Sequence, residues 1–114
     1  MKYDRIERIS QEIKRELSSI IPGLKDPRIP EVVSVTRVSA TRDLSYANVY
    51  VSVLGSEKQR AAAIEGLNSA KGFVRREIAS RVQLRITPEI KFIADDAIEH
   101  GMHINEILRE LENE

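Results

Sequence analysis

The first twenty-one residues alternate apolar and charged positions at the spacing of an α-helix. Six aliphatic residues recur mostly at steps of three and four: Ile6, Ile9, Ile13, Leu17, Ile20 and Ile21. Charged residues fill most of the intervening positions, which predicts an amphipathic helix with one apolar stripe. We expect this helix to end at Pro22-Gly23. The segment from Leu24 to Pro30 contains two further prolines and is predicted to be an ordered loop.

Two strands are predicted after this loop. Residues Val32 to Thr41 are rich in β-branched side chains, and from Tyr46 to Val53 small apolar residues alternate with polar and aromatic ones. The alternation predicts one face toward a core and a polar, aromatic face on the opposite side. The short link from Arg42 to Ser45 is expected to join the two strands as an antiparallel hairpin.

Gly55 marks the change from a strand pattern to a helix pattern. Ser56 followed by Gln59 fits a capping box, so a helix should run from about Glu57 to Asn68. The residues expected to form its buried stripe are Ala61, Ile64 and Leu67.

A second helix should follow almost at once. The residues expected to form its apolar stripe are Ala70, Phe73, Val74, Ile78 and Val82. Gly72 costs roughly 1 kcal/mol relative to Ala in a helix interior, which indicates a bend or a close approach of backbone there. A single long helix is the alternative interpretation.

Thr87-Pro88 is expected to begin a third strand, followed by a last helix. The residues sharing the apolar face of this strand are Ile90, Phe92 and Ala94. Acidic residues suited to a helix N-terminus come next, at Asp95, Asp96 and Glu99. The stripe that would dock the last helix consists of Ile104, Ile107, Leu108 and Leu111.

The predicted element order is αββααβα. Three strands cannot be covered by four helices on both sides, so we expect a two-layer α+β domain with helices on one face of the sheet. The 114 residues are enough for one domain, spanning 1–114.

The distribution of charge along the chain is informative, whereas the total charge is not. The chain has 18 basic and 18 acidic residues, yet residues 69–88 hold five basic residues against Glu77 alone. Residues 89–114 hold two basic and eight acidic residues. A neutral chain with such segregation can present a basic surface to phosphates. The plain alternative is that each block is a solvated helix face.

Several function classes are not expected. The absence of cysteine excludes disulfides, thiolate metal sites and thiol nucleophiles. No apolar run approaches the length of a membrane span, and the N-terminus lacks the apolar core of a signal peptide. His100 and His103 stand near acidic residues without a zinc signature, so we interpret them as exposed polar residues. We expect no metal, no cofactor and no catalysis.

The basic block is the candidate functional site. Its five cations lie on the second helix of the pair and at its exit: Lys71, Arg75, Arg76, Arg81 and Arg85. Guanidinium groups suit phosphates, and Gly72 near a helix N-terminus would let a phosphate come close. We expect Arg81 to pair with Glu77. Because both phenylalanines are predicted to be buried, recognition of RNA shape and phosphates is favoured over reading of splayed bases.

Six segments resemble the bacterial ribosome-binding factor A family, which has a type II KH-like domain. They are Lys25-Asp26-Pro27-Arg28, Ser34 to Val38, Asp43 to Ala47, Gly72 to Arg76, Leu84 to Ile90 and Asp96 to Gly101. They follow the family's order from about Arg5 to Leu111. A standard KH domain has a GxxG loop between its two helices, and Ala70-Lys71-Gly72 stands there in this sequence.

The resemblance implies a cytoplasmic, non-enzymatic assembly factor. It would bind the immature 30S small ribosomal subunit and its 16S rRNA, and assist late maturation and 5′-end processing of that rRNA, notably in cold adaptation. It also implies an Ala-x-Gly kink at Ala70 and Gly72 in place of GxxG. The positions expected to contact RNA are Lys71, Gly72, Arg75, Arg76, Arg81, Arg85, Arg5, Arg8, Lys25 and Arg28.

Two departures from the family accompany the resemblance. We expect the chain to lack the mobile C-terminal tail of many members, and His103 stands where an arginine is common. We therefore expect no contact that depends on such a tail, and a weaker auxiliary contact at position 103.

The alternative hypothesis is a protein-interaction module. A KH-like scaffold would then dock on ribosomal proteins or an assembly GTPase through its sheet face or its acidic last helix. Under this reading charge reversal at Glu106 and Glu110 should impair binding more than loss of Arg75 and Arg76. Either way we expect a monomer with no membrane partner.

Overall fold

Three helices and three strands make up the part of the chain that the computed structural model describes, residues 2–30 and 32–95. In chain order they are α1 (Lys2–Ile20), β1 (Val33–Ala40), β2 (Tyr46–Val53), α2 (Glu57–Ser69), α3 (Lys71–Arg81) and β3 (Glu89–Ala94), with a 3-10 turn at Ile21–Gly23 after α1. The predicted last helix, with His100 and His103, lies outside the described residues. Within the described ranges no helix is long and apolar enough to cross a bilayer.

The strands form one sheet in the order β1-β2-β3. β1 and β2 are antiparallel, with Val38 opposite Val49, as the short hairpin link predicts. β2 and β3 are parallel, with Val49 opposite Phe92. A parallel pair needs a crossover connection, and α2 and α3 together provide it. The helix pair is therefore fixed to one face of the sheet by the topology.

The core lies between this sheet face and the helices, with α1 against β1 and with α2 and α3 against β3. Residues Ala47, Val49 and Val51 on alternate positions of β2 are fully buried, whereas Tyr46 on the other face is 52% exposed. The largest fully buried aliphatic and aromatic side chains are Phe92, Ile13, Leu17, Leu67, Ile78, Val49, Val51 and Val74. The two-layer α+β arrangement is thus confirmed.

Side chains from the helices hold both edges of the sheet. The buried Ser10 of α1 accepts a hydrogen bond from the backbone N–H of Ala40 on β1, at 3.2 Å. On the other edge the Asn68 amide donates to the Phe92 carbonyl (3.1 Å) and accepts from the Phe92 N–H (2.9 Å). Each bond pairs a backbone group that an edge strand leaves open, and so anchors α1 and α2 on the sheet.

The helix pair begins as predicted, and of the stripe expected in α2 Leu67 is fully buried and Ile64 partly buried. Ser56 and Gln59 form both bonds of the capping box. Gly55 precedes it at φ +145°, where a Cβ would lie 2.5 Å from the Gln59 Oε1. The expected burial of Ala61 is wrong, because this residue is exposed. The fully buried or closely packed residues of α2 are Ala63, Gly66 and Leu67.

Candidate nucleic-acid interface

One residue separates α2 from α3. Ala70 has φ −92° and ψ 2°, outside the helical values, and ends α2 while it begins α3. Its N–H still bonds to the carbonyls of Gly66 and Leu67, and its own carbonyl accepts from the N–H of Val74 at 3.0 Å. The alternative of a single long helix is therefore wrong, and the bend lies at Ala70 instead of Gly72.

Gly72 keeps the surface beside the bend open. It lies in the first turn of α3, is exposed, and has no atom within 4 Å of the position that a Cβ would occupy. The close backbone approach expected at Gly72 occurs at Gly66 instead. There a Cβ would lie 3.1 Å from Ile29 Cγ1 and 3.2 Å from Arg28 Cβ, so the glycine lets the loop after α1 pack against α2.

Arg75 reaches from α3 to the loop that precedes β3. Its Nε and Nη2 donate to the carbonyl of Thr87 at 3.1 and 2.9 Å. A carbonyl holds the guanidinium in place without cancelling its charge. Arg85, also exposed, lies two residues before Thr87 in the same loop. Arg85 therefore lies close along the chain to the residue that holds Arg75.

Lys71 and Arg76 complete this group. Lys71 lies one turn before Arg75 and so shares its side of α3, whereas Arg76 is turned about 100° farther toward solvent. All are exposed, and within the described part of the chain none of them forms an ion pair with a carboxylate. We call Lys71, Arg75, Arg76 and Arg85 the open basic edge.

Arg81 differs from the open basic edge because two carboxylates hold it. Its guanidinium lies 3.4 Å from Glu77, which confirms the predicted pairing, and 3.5 Å from Glu16 of α1. It also donates to the Ser19 hydroxyl at 3.3 Å. Arg81 therefore faces α1 and joins the two helices. The structure does not place it on the side of α3 that carries Arg75.

Arg28 is also held by carboxylates. Its Nε and Nη2 donate to the two carboxylate oxygens of Asp26 at 3.0 and 2.7 Å. Nη2 also donates to the Ser69 hydroxyl, and Nη1 lies 3.5 Å from Glu65. Hydrogen bonds from the Arg28 side chain and backbone lower the pKa of Asp26 to about 2. This arrangement fastens the loop to the end of α2.

Lys25 lies close to the bend. Together with Gly23, Leu24 and Asp26 it lines an open hollow of about 350 Å³, whose other wall is Ser69, Ala70 and Phe73. Arg5 and Arg8 are not brought there. The C-terminal end of α1 adjoins the bend, so along the helix axis Arg5 lies about 22 Å and Arg8 about 18 Å from that end.

A family model described as Ribosome-binding factor A matches residues 5–108. The chain belongs to the ribosome-binding factor A family. The match includes both the loop after α1 and the helix pair, which are the two segments that meet at the bend. Membership confirms the resemblance drawn from the sequence segments.

Characterised relatives and solved structures agree with this membership. A ribosome-binding factor A from Acetivibrio thermocellus is 58% identical over 94% of this chain and 88% of its own length. One from Clostridium tetani is 55% identical over 99% of this chain and 94% of its own length. The crystal structure of ribosome-binding factor A from Thermus thermophilus has a TM-score of 0.70 and 28% identity, covering 78% of this chain and 93% of that one.

A further structural match concerns a complex. It is a homology model of the Thermus thermophilus ribosome-binding factor A, fitted into the cryo-EM map of a 30S complex of that factor. The TM-score is 0.65 at 28% identity, over 77% of this chain and 92% of that one. The described fold is therefore that of a protein placed on a 30S particle.

Two residues near the bend were missed by the sequence reasoning. Phe73 was expected in the core but is 44% exposed, while Val74 beside it is fully buried. The signal was available, because Val74, Ile78 and Val82 define the stripe and Phe73 lies about 140° from Ile78 around the helix. Gly66 was overlooked because a glycine has no hydrophobic side chain to mark a buried stripe.

Metal-ligating side chains do not gather in the described ranges. No group of three or more histidines, cysteines, aspartates or glutamates occurs among residues 2–30 and 32–95. The pair His100 and His103 falls outside them.

Proposed function

We propose that this chain binds the immature small ribosomal subunit by contacting 16S rRNA phosphates, without catalysing a reaction. Membership in the ribosome-binding factor A family and the placement of a Thermus relative on a 30S particle support the subunit as partner. The features of the chain itself support RNA as the contacted component.

The observation that carries the proposal is the open basic edge. Four exposed cations on α3 and the following loop have no carboxylate partner in the described part of the chain, although the whole chain is neutral. Arginine guanidinium groups bind phosphate oxygens with two parallel hydrogen bonds. The fixed Arg75 can donate from its remaining N–H groups while it keeps its bond to Thr87.

Binding of this kind acts on rRNA by selection among conformations. A ligand shifts a conformational equilibrium only by the difference between its affinities for the two states. We infer that the chain stabilises one arrangement of 16S rRNA late in 30S assembly, and thereby assists maturation of the 5′ end, including in the cold. It would do so as a cytoplasmic monomer, with residues 1–114 acting as one KH-like RNA-binding domain.

The test is the salt dependence of binding to immature 30S subunits. The logarithm of the affinity should fall linearly with the logarithm of the salt concentration, with a slope set by the number of phosphate contacts. Replacing Arg75 and Arg76 together by glutamine should reduce the slope by about two, one for each lost contact. If the two affinities are equal at 1 M salt, a slope difference of about two makes the affinity of the variant about 100-fold lower at 0.1 M.

A matched control uses the same two substitutions at paired arginines. Arg28→Gln with Arg81→Gln also removes two positive charges but should leave the slope nearly unchanged, because those guanidinium groups are already neutralised by carboxylates. Urea unfolding of both variants checks that each is folded under the binding conditions. Equal slopes for the two double variants, or an affinity independent of salt, would overturn the proposal.

The open face of the sheet favours the alternative of a protein-interaction module. The Arg37 guanidinium stacks 4.3 Å from the centroid of the Tyr50 ring, and Tyr46 on the same face is half exposed. Such surfaces suit protein partners such as ribosomal proteins or a GTPase. A 30S pull-down separates the two functions: for RNA binding, Arg75→Gln with Arg76→Gln is the damaging pair, and for protein docking it is charge reversal at Glu106 and Glu110.

A further inference from the structure

Phe73 is an exposed aromatic ring beside the bend. It is 44% exposed, although α3 buries Val74 and Ile78 completely on its inner side. The chain has only five phenylalanine and tyrosine residues and no tryptophan. The other phenylalanine, Phe92, is 1% exposed in the core. One of the few aromatic side chains therefore lies at the surface next to the candidate RNA interface.

The ring forms one wall of the open hollow. The opposite wall is the end of α1 and the following loop, Gly23, Leu24, Lys25 and Asp26. Its volume of about 350 Å³ lies at the lower end of that of small-molecule sites, roughly 300–1,000 Å³.

The loop wall is held in place by the contacts of Arg28. The paired Asp26 carboxylate, the Ser69 hydroxyl and the absence of a Cβ at Gly66 fix the loop against α2. The Leu24 N–H also donates to the Ile21 carbonyl at 3.0 Å. The two walls of the hollow are consequently set by the fold of the chain, so a ligand would not have to order them.

The charges of the hollow indicate the chemistry of its occupant. Asp26 is already neutralised by two hydrogen bonds from the Arg28 guanidinium. Lys25 is exposed and forms no ion pair with any carboxylate in the described ranges. An aromatic wall beside an unpaired ammonium group complements a ligand with a π-face and an attached anion. An RNA nucleotide has both parts.

We propose that the hollow binds one unpaired nucleotide of the RNA, with its base stacked on Phe73 and its phosphate at Lys25. This inference rests on the proposed function and adds base stacking to the phosphate contacts of the open basic edge. In an A-form duplex the bases are stacked on one another, so the site requires a nucleotide from a loop, bulge or single strand.

The absence of tryptophan in the chain provides a direct probe. Phe73→Trp introduces a single tryptophan into the full chain, and its emission is followed during titration with hexa-adenylate. An abasic strand of the same length carries the same phosphates without bases. We expect hexa-adenylate to quench the emission, and the abasic strand and a fully paired RNA duplex to leave it unchanged.

The affinity of Phe73→Leu gives the second readout. This variant keeps an apolar side chain but lacks a π-face, and it should bind hexa-adenylate about 5- to 150-fold more weakly, the range for one stacked base. Its affinity for the abasic strand should equal that of the wild type. The matched control is Leu54→Ala, since Leu54 is 81% exposed, outside both the hollow and the loop that holds Arg75, and should not affect either affinity.

The outcomes separate this inference from the proposed function. If Phe73→Leu binds hexa-adenylate as tightly as the wild type, while loss of Arg75 and Arg76 still weakens 30S binding, only the nucleotide site is refuted. If Phe73→Leu weakens 30S binding but not hexa-adenylate binding, the hollow takes a protein side chain and the inference is equally refuted. Loss of Arg75 and Arg76 should weaken the hexa-adenylate and abasic complexes alike.

Discussion

Arg28 and Arg81 differ from Arg75 and Arg76 in their partners, although the sequence assigns all four to RNA binding. Each of the first two lies within 3.5 Å of two carboxylates, whereas Arg75 donates to a backbone carbonyl and Arg76 faces solvent. A guanidinium paired with carboxylates contributes little field at a phosphate. On one side of the helix pair the arginines thus hold elements together. On the other side they stay available to a polyanion.

This contrast explains how a neutral chain can present a basic surface without carboxylate partners. The carboxylates that balance the total charge are not spread evenly over the arginines. Glu16, Glu77, Asp26 and Glu65 lie against the arginines that fasten α1 and its following loop to the helix pair. The count of charges is therefore a poor guide, and the distances between them decide which cations can release counterions on binding RNA.

The largest effect should come from disturbing the contact between α2 and the loop after α1. Gly66→Val places a branched side chain where Ile29 and Arg28 already lie within 3.2 Å of a Cβ position. We expect the free energy of unfolding to fall by about 1–3 kcal/mol, as overpacking typically costs. Urea unfolding measures this loss of stability. The folded variant should show the same salt slope of RNA binding as the wild type, because Arg75 and Arg76 are unchanged.

The control for that substitution is Gly72→Ala. Because nothing lies within 4 Å of a Cβ at position 72, and alanine favours a helix over glycine by roughly 1 kcal/mol, this variant should be as stable as the wild type or more so. If Gly72→Ala destabilised the chain as much as Gly66→Val, the assignment of the close approach to Gly66 would be wrong.

A smaller effect is expected from acid. The pKa of Asp26 is lowered from 3.8 to about 2 by the hydrogen bonds from Arg28, so the carboxylate stabilises the fold above pH 4 and this contribution is lost as the pH falls toward 2. Asp26→Asn should unfold with a shallower pH dependence between pH 4 and 2, measured from urea midpoints. The pKa of Asp43 is also lowered, by hydrogen bonds from Ser45 and Thr41. Part of the pH dependence of stability should therefore remain in the variant.

An unchanged pH dependence in Asp26→Asn would contradict the pairing with Arg28. The variant also tests the difference between arginines with and without carboxylate partners, because it removes one of the two carboxylates beside Arg28. If it raises the salt slope of RNA binding above that of the wild type, Arg28 becomes available to phosphate once its partner is gone.

The sequence predicts the elements well because their patterns are local. The helix stripe from Ile6 to Ile21, the strand alternation around Val49 and the capping box at Ser56 each depend on spacings within one element, and the structure confirms them. The pairing of Arg81 with Glu77 is confirmed for the same reason. A spacing of four residues brings two side chains together on a helix wherever that helix lies.

The parts that could not be predicted depend on contacts between elements. The carboxylate of Glu16 reaches Arg81 from another helix, and the loop residue Ile29 makes Gly66 necessary. Phe73 lies off the stripe that α3 buries, and the extent to which its ring stays exposed depends on the loop after α1, which lines the same hollow. These long-range contacts decide which of the predicted site residues remain free.

The central claim, that 16S rRNA lies against the exposed side of α3, can be tested by directed hydroxyl-radical cleavage. The chain has no cysteine, so a single Ala79→Cys on the exposed side of α3 accepts an iron chelate at one position. Ser52→Cys, exposed on the open face of the sheet, is the matched control. In complexes with immature 30S subunits the account predicts strong cleavage of 16S rRNA from position 79 and little from position 52. Cleavage from position 52 alone, or equally from both positions, would contradict it.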